Sequence, residues 1–163
     1  MTKVTLGFLI KRNENGKIAE ICLGLKKAGF GQGKWNGFGG KVGDKLEFKA
    51  ETIEESLKRE ALEEFGIEIL DFRQIGLLHY IYKSDQKTTK EMDCFVFLVE
   101  NWSGEISEST EMQPKWFKTD QIPYPKMWED DTIWLPKLLN NENFEASFEF
   151  VDDELVKHCF KSY

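Results

Sequence analysis

The stretch Arg59-Glu60-Ala61-Leu62-Glu63-Glu64-Phe65-Gly66-Ile67 crowds three carboxylates beside a single guanidinium. On a helix, Glu60 and Glu64 stand one above the other and repel. Glu63 and Glu64 also fall in the last turn before Gly66, where the macrodipole already presents negative charge. Each effect costs several tenths of a kcal/mol, roughly, and no lysine in the segment is placed to quench all three acids. A hard divalent cation bound through carboxylate oxygens offsets that loss, so the segment reads as a metal site carried on a helix.

The elements that must position these acids follow from the surrounding residues. Thr52-Ile53-Glu54-Glu55 matches a capping box, and Gly66 supplies a left-handed stop. Between them Ile53, Leu57, Ala61 and Phe65 form one apolar face. Glu60, Glu63 and Glu64 then share an arc of roughly 100° that abuts this face, at the edge of a buried interface. Strand patterns run from Val4 to Ile10 and from Ile18 to Leu25, with a turn cluster closed by Asn15-Gly16 between them. Gly29 to Gly43 is a glycine-rich loop carrying Phe30, Trp35 and Phe38. Further strands are expected from Gln74 to Tyr82 and from Met92 to Glu100, with a short extended piece at Trp116-Phe117. A helix follows from Thr132 to Leu139, with Pro136 setting a boundary or kink inside it, and Phe144 to Val151 reads as the final strand. With no repeats or linkers, residues 1–163 form one α+β domain.

A chain of 163 residues with 40% hydrophobic and 13% aromatic content supports a single buried core. The net charge of −7 argues against a duplex nucleic-acid partner, which needs a basic face. It leaves room for a nucleotide whose charge bound metal would balance. Cys22, Cys94 and Cys159 are sparse, odd in number and without a C-x-x-C pair, as suits free thiols in the cytoplasm. No leader pattern and no apolar run of bilayer length is expected.

Gly40, Glu51 and the run Arg59 to Ile67 resemble, in residue type and spacing, the box of the Nudix hydrolases, with Ala61 where a larger apolar residue is common. The segments Lys26 to Val42, Glu111 to Phe117 and Met127 to Asp131 further resemble the branch of that family that hydrolyses oxidised purine nucleoside triphosphates. The resemblance implies a Nudix fold, a mixed β-sheet sandwiched between helices. It also implies Mg²⁺ as cofactor, with Mn²⁺ an alternative, and attack of water at a phosphorus. Carried across, Glu60, Glu63 and Glu64 with the Gly39 carbonyl hold the metal, and Glu111 adds an oxygen from a distant loop. Glu64 is the first choice for orienting or deprotonating the water, with Glu63 and Glu111 as competitors. Arg59 pairs with Glu51 to hold the helix in register.

The same resemblance implies the substrate contacts. Gly39 and Gly40 approach the nucleotide through the backbone, and Lys26 meets a phosphate as a point charge. Asn36 offers a purine edge both a donor and an acceptor. Asp130 and Asp131, facing one base, cannot both ionise cheaply, so one keeps a proton and donates it in a hydrogen bond. Trp128 and Phe30 flank the base, Met112 closes an edge, and Thr5, Tyr80 and Tyr82 complete the walls. Read without the resemblance, Trp128 is a core residue and Asp130-Asp131 a helix N-terminus.

The expected activity is hydrolysis of 8-oxo-dGTP or 2-hydroxy-dATP to monophosphate and pyrophosphate by a monomer. The alternatives are alkylated purine triphosphates, dinucleoside polyphosphates, RNA caps, or a nucleotide sensor without turnover. Two departures stand out. The ten residues between Gly40 and Glu51 are five more than the family pattern has, which predicts a surface loop bearing Leu46 and Phe48. Asp152 to Tyr163 matches nothing in the family.

Overall fold

The computed structural model describes residues 1–162, apart from the side chain at position 46, so the Leu46 side chain of the predicted surface loop and Tyr163 lie outside the described residues. The elements are β1 (Thr2–Arg12), β2 (Ile18–Lys26), β3 (Trp35–Asn36), α1 (Ile53–Phe65), β4 (Glu68–Ser84), β5 (Lys87–Ser103), β6 (Met112–Lys118), α2 (Asp131–Leu139), β7 (Phe144–Val151) and β8 (Glu154–Phe160). Short 3-10 turns lie at Leu46–Phe48 and Tyr124–Lys126.

The described strands form one mixed sheet in the order β3-β2-β1-β5-β4-β7-β8, with β6 paired to β2. β1 runs parallel to β5 and β4 parallel to β7, while the hairpin pairs are antiparallel. Both faces of the sheet are covered, so β1 reads as a continuous buried run from Thr5 to Ile10 and does not alternate with exposed residues. Its side chains still alternate between two cores. Phe8 and Ile10 join Trp134, Leu135 and Leu138 of α2, and Leu9 joins Leu57, Ala61 and Phe65 of α1. This is the expected α+β arrangement, a mixed sheet between helices.

Several boundaries differ from the pattern-based ones. Phe144–Val151 is not the last strand: Asp152 and Asp153 turn with φ of 49° and 67°, and β8 returns antiparallel to β7. Such paired positive φ angles match the twist of a tight hairpin. Leu155 and Phe160 pack on the α2-side core, and the His158 ring stacks on Phe148. Trp35-Asn36 of the glycine-rich loop forms a short strand against β2. The extended piece at Trp116-Phe117 begins at Met112 and includes Pro114, tolerated because β6 ends the sheet on that side. α2 begins at Asp131 and runs through Pro136 to Leu139.

Candidate active site

Helix α1 begins with the reciprocal capping box: the Thr52 hydroxyl accepts from Glu55 N–H at 3.2 Å, and Glu55 accepts from Thr52 N–H at 2.8 Å. It ends at Gly66, in the left-handed region at φ 71°. Leu57, Ala61 and Phe65 fix its rotation on the sheet. That rotation buries Glu60 and Glu64, at 8% and 1% exposure, and leaves Glu63 exposed.

The backbone from Phe38 to Lys41 runs beside β1, with Thr5 N–H donating to the Gly40 carbonyl at 2.9 Å. At Gly39 the approach requires glycine, because a Cβ would lie 1.9 Å from the Thr5 carbonyl oxygen. Gly39 N–H donates to Glu64 Oε1 at 2.9 Å, whereas Glu64 Oε2 is buried with no partner. Burial pushes the Glu64 carboxyl up to about 8, against the opposing effect of the Gly39 N–H. Glu60 is raised as well, again first by burial, with Arg59 pulling it back.

Arg59 organises the rest. Its Nε and Nη2 donate to the two oxygens of Glu51 at 3.0 and 2.8 Å, a bidentate fork that holds the Glu51 carboxyl below its ordinary range. Its Nη1 donates to Glu60 at 3.0 Å and to Glu63 at 3.3 Å. Glu111, in the loop leading into β6, stands 4.0 Å from Lys26 Nζ. Glu60 and Glu64 lie close enough to interact and Glu64 feels the charge of Glu111, although among the described residues no three acidic, histidine or cysteine groups converge as they would around a metal ion. Arg59 is the nearest countercharge and draws Glu60 and Glu63 to itself. The donor set still fits a hard divalent cation, being all oxygen and including the unpartnered Glu64 Oε2.

A second cluster lies at the start of α2. Asp130 and Asp131 are each 2% exposed. Asp130 makes no side-chain cap to its helix; its Oδ2 instead accepts from Tyr80 OH at 2.6 Å and from Trp134 Nε1 at 2.9 Å. Asp131 Oδ2 accepts from Trp128 N–H at 3.2 Å. Burial first, then the neighbouring Asp130 charge, pushes Asp131 well above the usual carboxylate range. Trp134 is not among the motif residues, although its spacing of four from Asp130 on a helix is a signal for the contact.

Phe30, 70% exposed, stacks on Trp128 with centroids 4.9 Å apart, and Lys34 Nζ stands 5.0 Å from the Trp128 ring. Asn36 spends its side-chain oxygen on Gly37 N–H at 2.9 Å, and among the described residues nothing accepts from its amide NH₂. The Thr5 hydroxyl is buried and unpartnered. Met112 is buried as well. It sits in the α1-side core, where a Cβ at Gly24 would lie 2.6 Å from its sulfur. The β6 register sets Met112 opposite Lys26 and beneath α1.

The NUDIX domain profile matches residues 1–138, which include both clusters. The chain belongs to the Nudix family. Such hydrolases generally use divalent metals such as Mg²⁺. The chain is 42% identical over 139 residues to the oxidized purine nucleoside triphosphate hydrolase of Danio rerio, covering 85% of this chain and 84% of the relative. It is 40% identical over 136 residues to the protein of the same name from Mus musculus, covering 83% and 82%. Among solved structures, the MutT protein of Bacillus halodurans superposes with a TM-score of 0.82 over 99% of this chain and 98% of that one. At 23% identity, that likeness is one of fold. No helix among the described residues is long and apolar enough to cross a membrane.

Proposed function

We infer that this Nudix hydrolase is a Mg²⁺-dependent pyrophosphohydrolase of oxidised purine nucleoside triphosphates. It releases monophosphate and pyrophosphate and so removes damaged nucleotides from the pool used for DNA synthesis. The observation that carries the substrate class is the buried Asp130-Asp131 pair, bonded to the Trp128 backbone, in a chain with 40–42% identity to enzymes of that name. Two adjacent buried carboxyls share one negative charge, so the pair presents both a donor and an acceptor to a base. Oxidation at C8 of guanine or C2 of adenine changes the donor and acceptor pattern of the base, and one proton on this pair follows that change. Asn36 adds a free amide NH₂, while Phe30 and Trp128 supply aromatic faces.

Glu60, Glu63 and Glu64, with Glu111 from the β6 loop and the Gly39 carbonyl, would hold the cation. Bound Mg²⁺ supplies charge stabilisation on the phosphate oxygens. Within the chain, Gly39 N–H fixes Glu64 Oε1 and leaves Oε2 to orient or deprotonate the attacking water. Lys26, partly neutralised by Glu111, meets a phosphate. Free Cys22, Cys94 and Cys159 support a cytoplasmic location, and we take the monomer as the working unit.

The test is kcat/KM with Mg²⁺ for 8-oxo-dGTP, 2-hydroxy-dATP, dGTP and dATP side by side. The expected result is a preference of about a hundredfold for an oxidised base, about 2.7 kcal/mol of discrimination in the transition state. Equal rates on all four would leave the hydrolase standing and remove the base assignment.

A further inference from the structure

The residues added between Gly40 and Glu51 form the expected surface loop, mostly exposed, but one tied back to the Glu51–Arg59 pair. Gly43 turns at φ +66°, and its N–H donates to Glu51 Oε1 at 2.9 Å. The 3-10 turn Leu46–Phe48 follows, in which Phe48 N–H donates to the Lys45 carbonyl and Glu51 N–H to the Phe48 carbonyl, each at 2.9 Å. The loop thus ends on the carboxylate that receives both arms of the Arg59 fork. From this turn the half-buried Phe48 ring lies 4.5 Å, centroid to Cζ, from the Arg59 guanidinium. Lys45 Nζ stands 5.9 Å from the same ring.

A guanidinium donates hydrogen bonds in its plane and is weakly hydrated on its faces, so an aromatic ring can cover a face without taking a donor. In Arg59 those in-plane donors reach Glu51, Glu60, Glu63 and, at 3.3 Å, the Lys41 carbonyl. Covering the face excludes water from the guanidinium and adds a cation–π contact. Both effects narrow the orientations open to Glu60 and Glu63, which hang from the single nitrogen Nη1.

We propose that Phe48 is a positioning residue for the acidic cluster: by covering Arg59 it fixes the guanidinium whose Nη1 holds Glu60 and Glu63, and so sets the affinity of the cluster for a divalent cation. The inference rests on the reading of Glu60, Glu63 and Glu64 as cation ligands. Its test is Mn²⁺ binding to the full chain without nucleotide, measured by titration calorimetry. The proteins compared are wild type and the variants Phe48→Ala, Phe48→Leu, Phe48→Tyr and Glu60→Gln, with thermal unfolding followed in parallel. Wild type binds Mn²⁺ and Glu60→Gln weakens it. Phe48→Ala and Phe48→Leu weaken Mn²⁺ binding by about three- to tenfold, the range a partly shielded cation–π contact commands, and Phe48→Tyr restores it to within about twofold.

Unchanged Mn²⁺ affinity in Phe48→Ala, with only a lower Tm, would make Phe48 a purely structural residue and overturn the proposal. Leucine serving as well as tyrosine would overturn it too, since apolar volume alone would then suffice. So would tighter binding in Phe48→Ala, which would make Arg59 a competitor of the cation and not its organiser. If wild type and Glu60→Gln bind Mn²⁺ equally, the ligand assignment itself fails, an outcome separate from failure of the Phe48 role.

Discussion

The two acidic clusters hold their carboxylates in contrasting ways. On α1, Glu60 and Glu63 are answered by a full positive charge, the Arg59 guanidinium, while Glu64 keeps one buried oxygen without a partner. On α2, neutral donors from Tyr80, Trp134 and the Trp128 backbone answer Asp130 and Asp131. A buried carboxyl must be charged and paired, or neutral and hydrogen-bonded. Arg59 gives Glu60 the first state, while burial holds Glu64 nearer the second, a state that a cation at its free oxygen would reverse. The α2 pair suits a mixture, one carboxylate and one acid, and so suits a base edge. One site spends its acids on charge and the other on hydrogen-bond polarity.

The hardest blow to that contrast falls on the unpartnered oxygen. Glu64→Gln should lower kcat by about a thousandfold or more, within the range a positioned general base contributes, while nucleotide binding by calorimetry is retained. Near-normal turnover would pass the water-activating role to Glu63 or Glu111. The next largest effect tests the other cluster. Asp130→Asn removes the carboxylate that can share a proton, and should change the ratio of oxidised to ordinary base by about ten- to a hundredfold in kcat/KM. The Mg²⁺ requirement should move far less. An unchanged base ratio with an altered Mg²⁺ requirement would show that the two clusters do not divide the work as described.

How much of this contrast is legible in the sequence depends on range. The capping box, the Gly66 stop and the Glu60–Glu64 spacing are local, and α1 forms within a residue of where those signals place it. The wheel places all three acids at the edge of the buried face, and packing on the sheet then buries Glu60 and Glu64 and leaves Glu63 exposed. Contacts set by the sheet are another matter. Met112 shares a strand with Trp116, but register against β2 sends it under α1, and nothing local to Met112 announces that. The Tyr80–Asp130 hydrogen bond joins residues fifty apart through the β4–β7 pairing and the seat of α2. β8 is hidden because most of its side chains are exposed, so its residues carry little periodicity to read. Phe48 could be placed on a loop from sequence, but its ring over Arg59 could not.

A smaller effect separates the structural from the chemical use of charge on α1. Glu51 is held below its ordinary value of 4.5, chiefly by the Arg59 fork. A depressed acid contributes stability that is fully present above its unfolded value and is lost as pH falls through its folded value. Glu51→Gln should therefore cost about 1.5–3 kcal/mol by urea denaturation at pH 7, the span for hydrogen bonds to charged groups. The gap to wild type should begin to close below about pH 4.5 and shrink further as the carboxyl takes up its proton. A gap independent of pH would mean that the fork holds Glu51 by shape and not by charge.

The smallest effect is expected where a neutral donor is removed from the α2 pair. Tyr80→Phe leaves Asp130 Oδ2 with Trp134 Nε1 alone, so the acceptor stays satisfied and the cost should be about 1 kcal/mol. For a chain of this length that is a fall in Tm of about 2–4 °C. Loss of the donor also removes one of the two side-chain hydrogen bonds that favour the charged Asp130, so the carboxyl should bind its proton more readily. The pH dependence of base preference should then move upward while the preference itself survives, the reverse of Asp130→Asn. If Tyr80→Phe instead abolished the preference as completely as Asp130→Asn, the phenol and not the carboxyl would be the group that reads the base. The α2 cluster would then resemble the α1 cluster, with its acid serving to hold a neighbour in place.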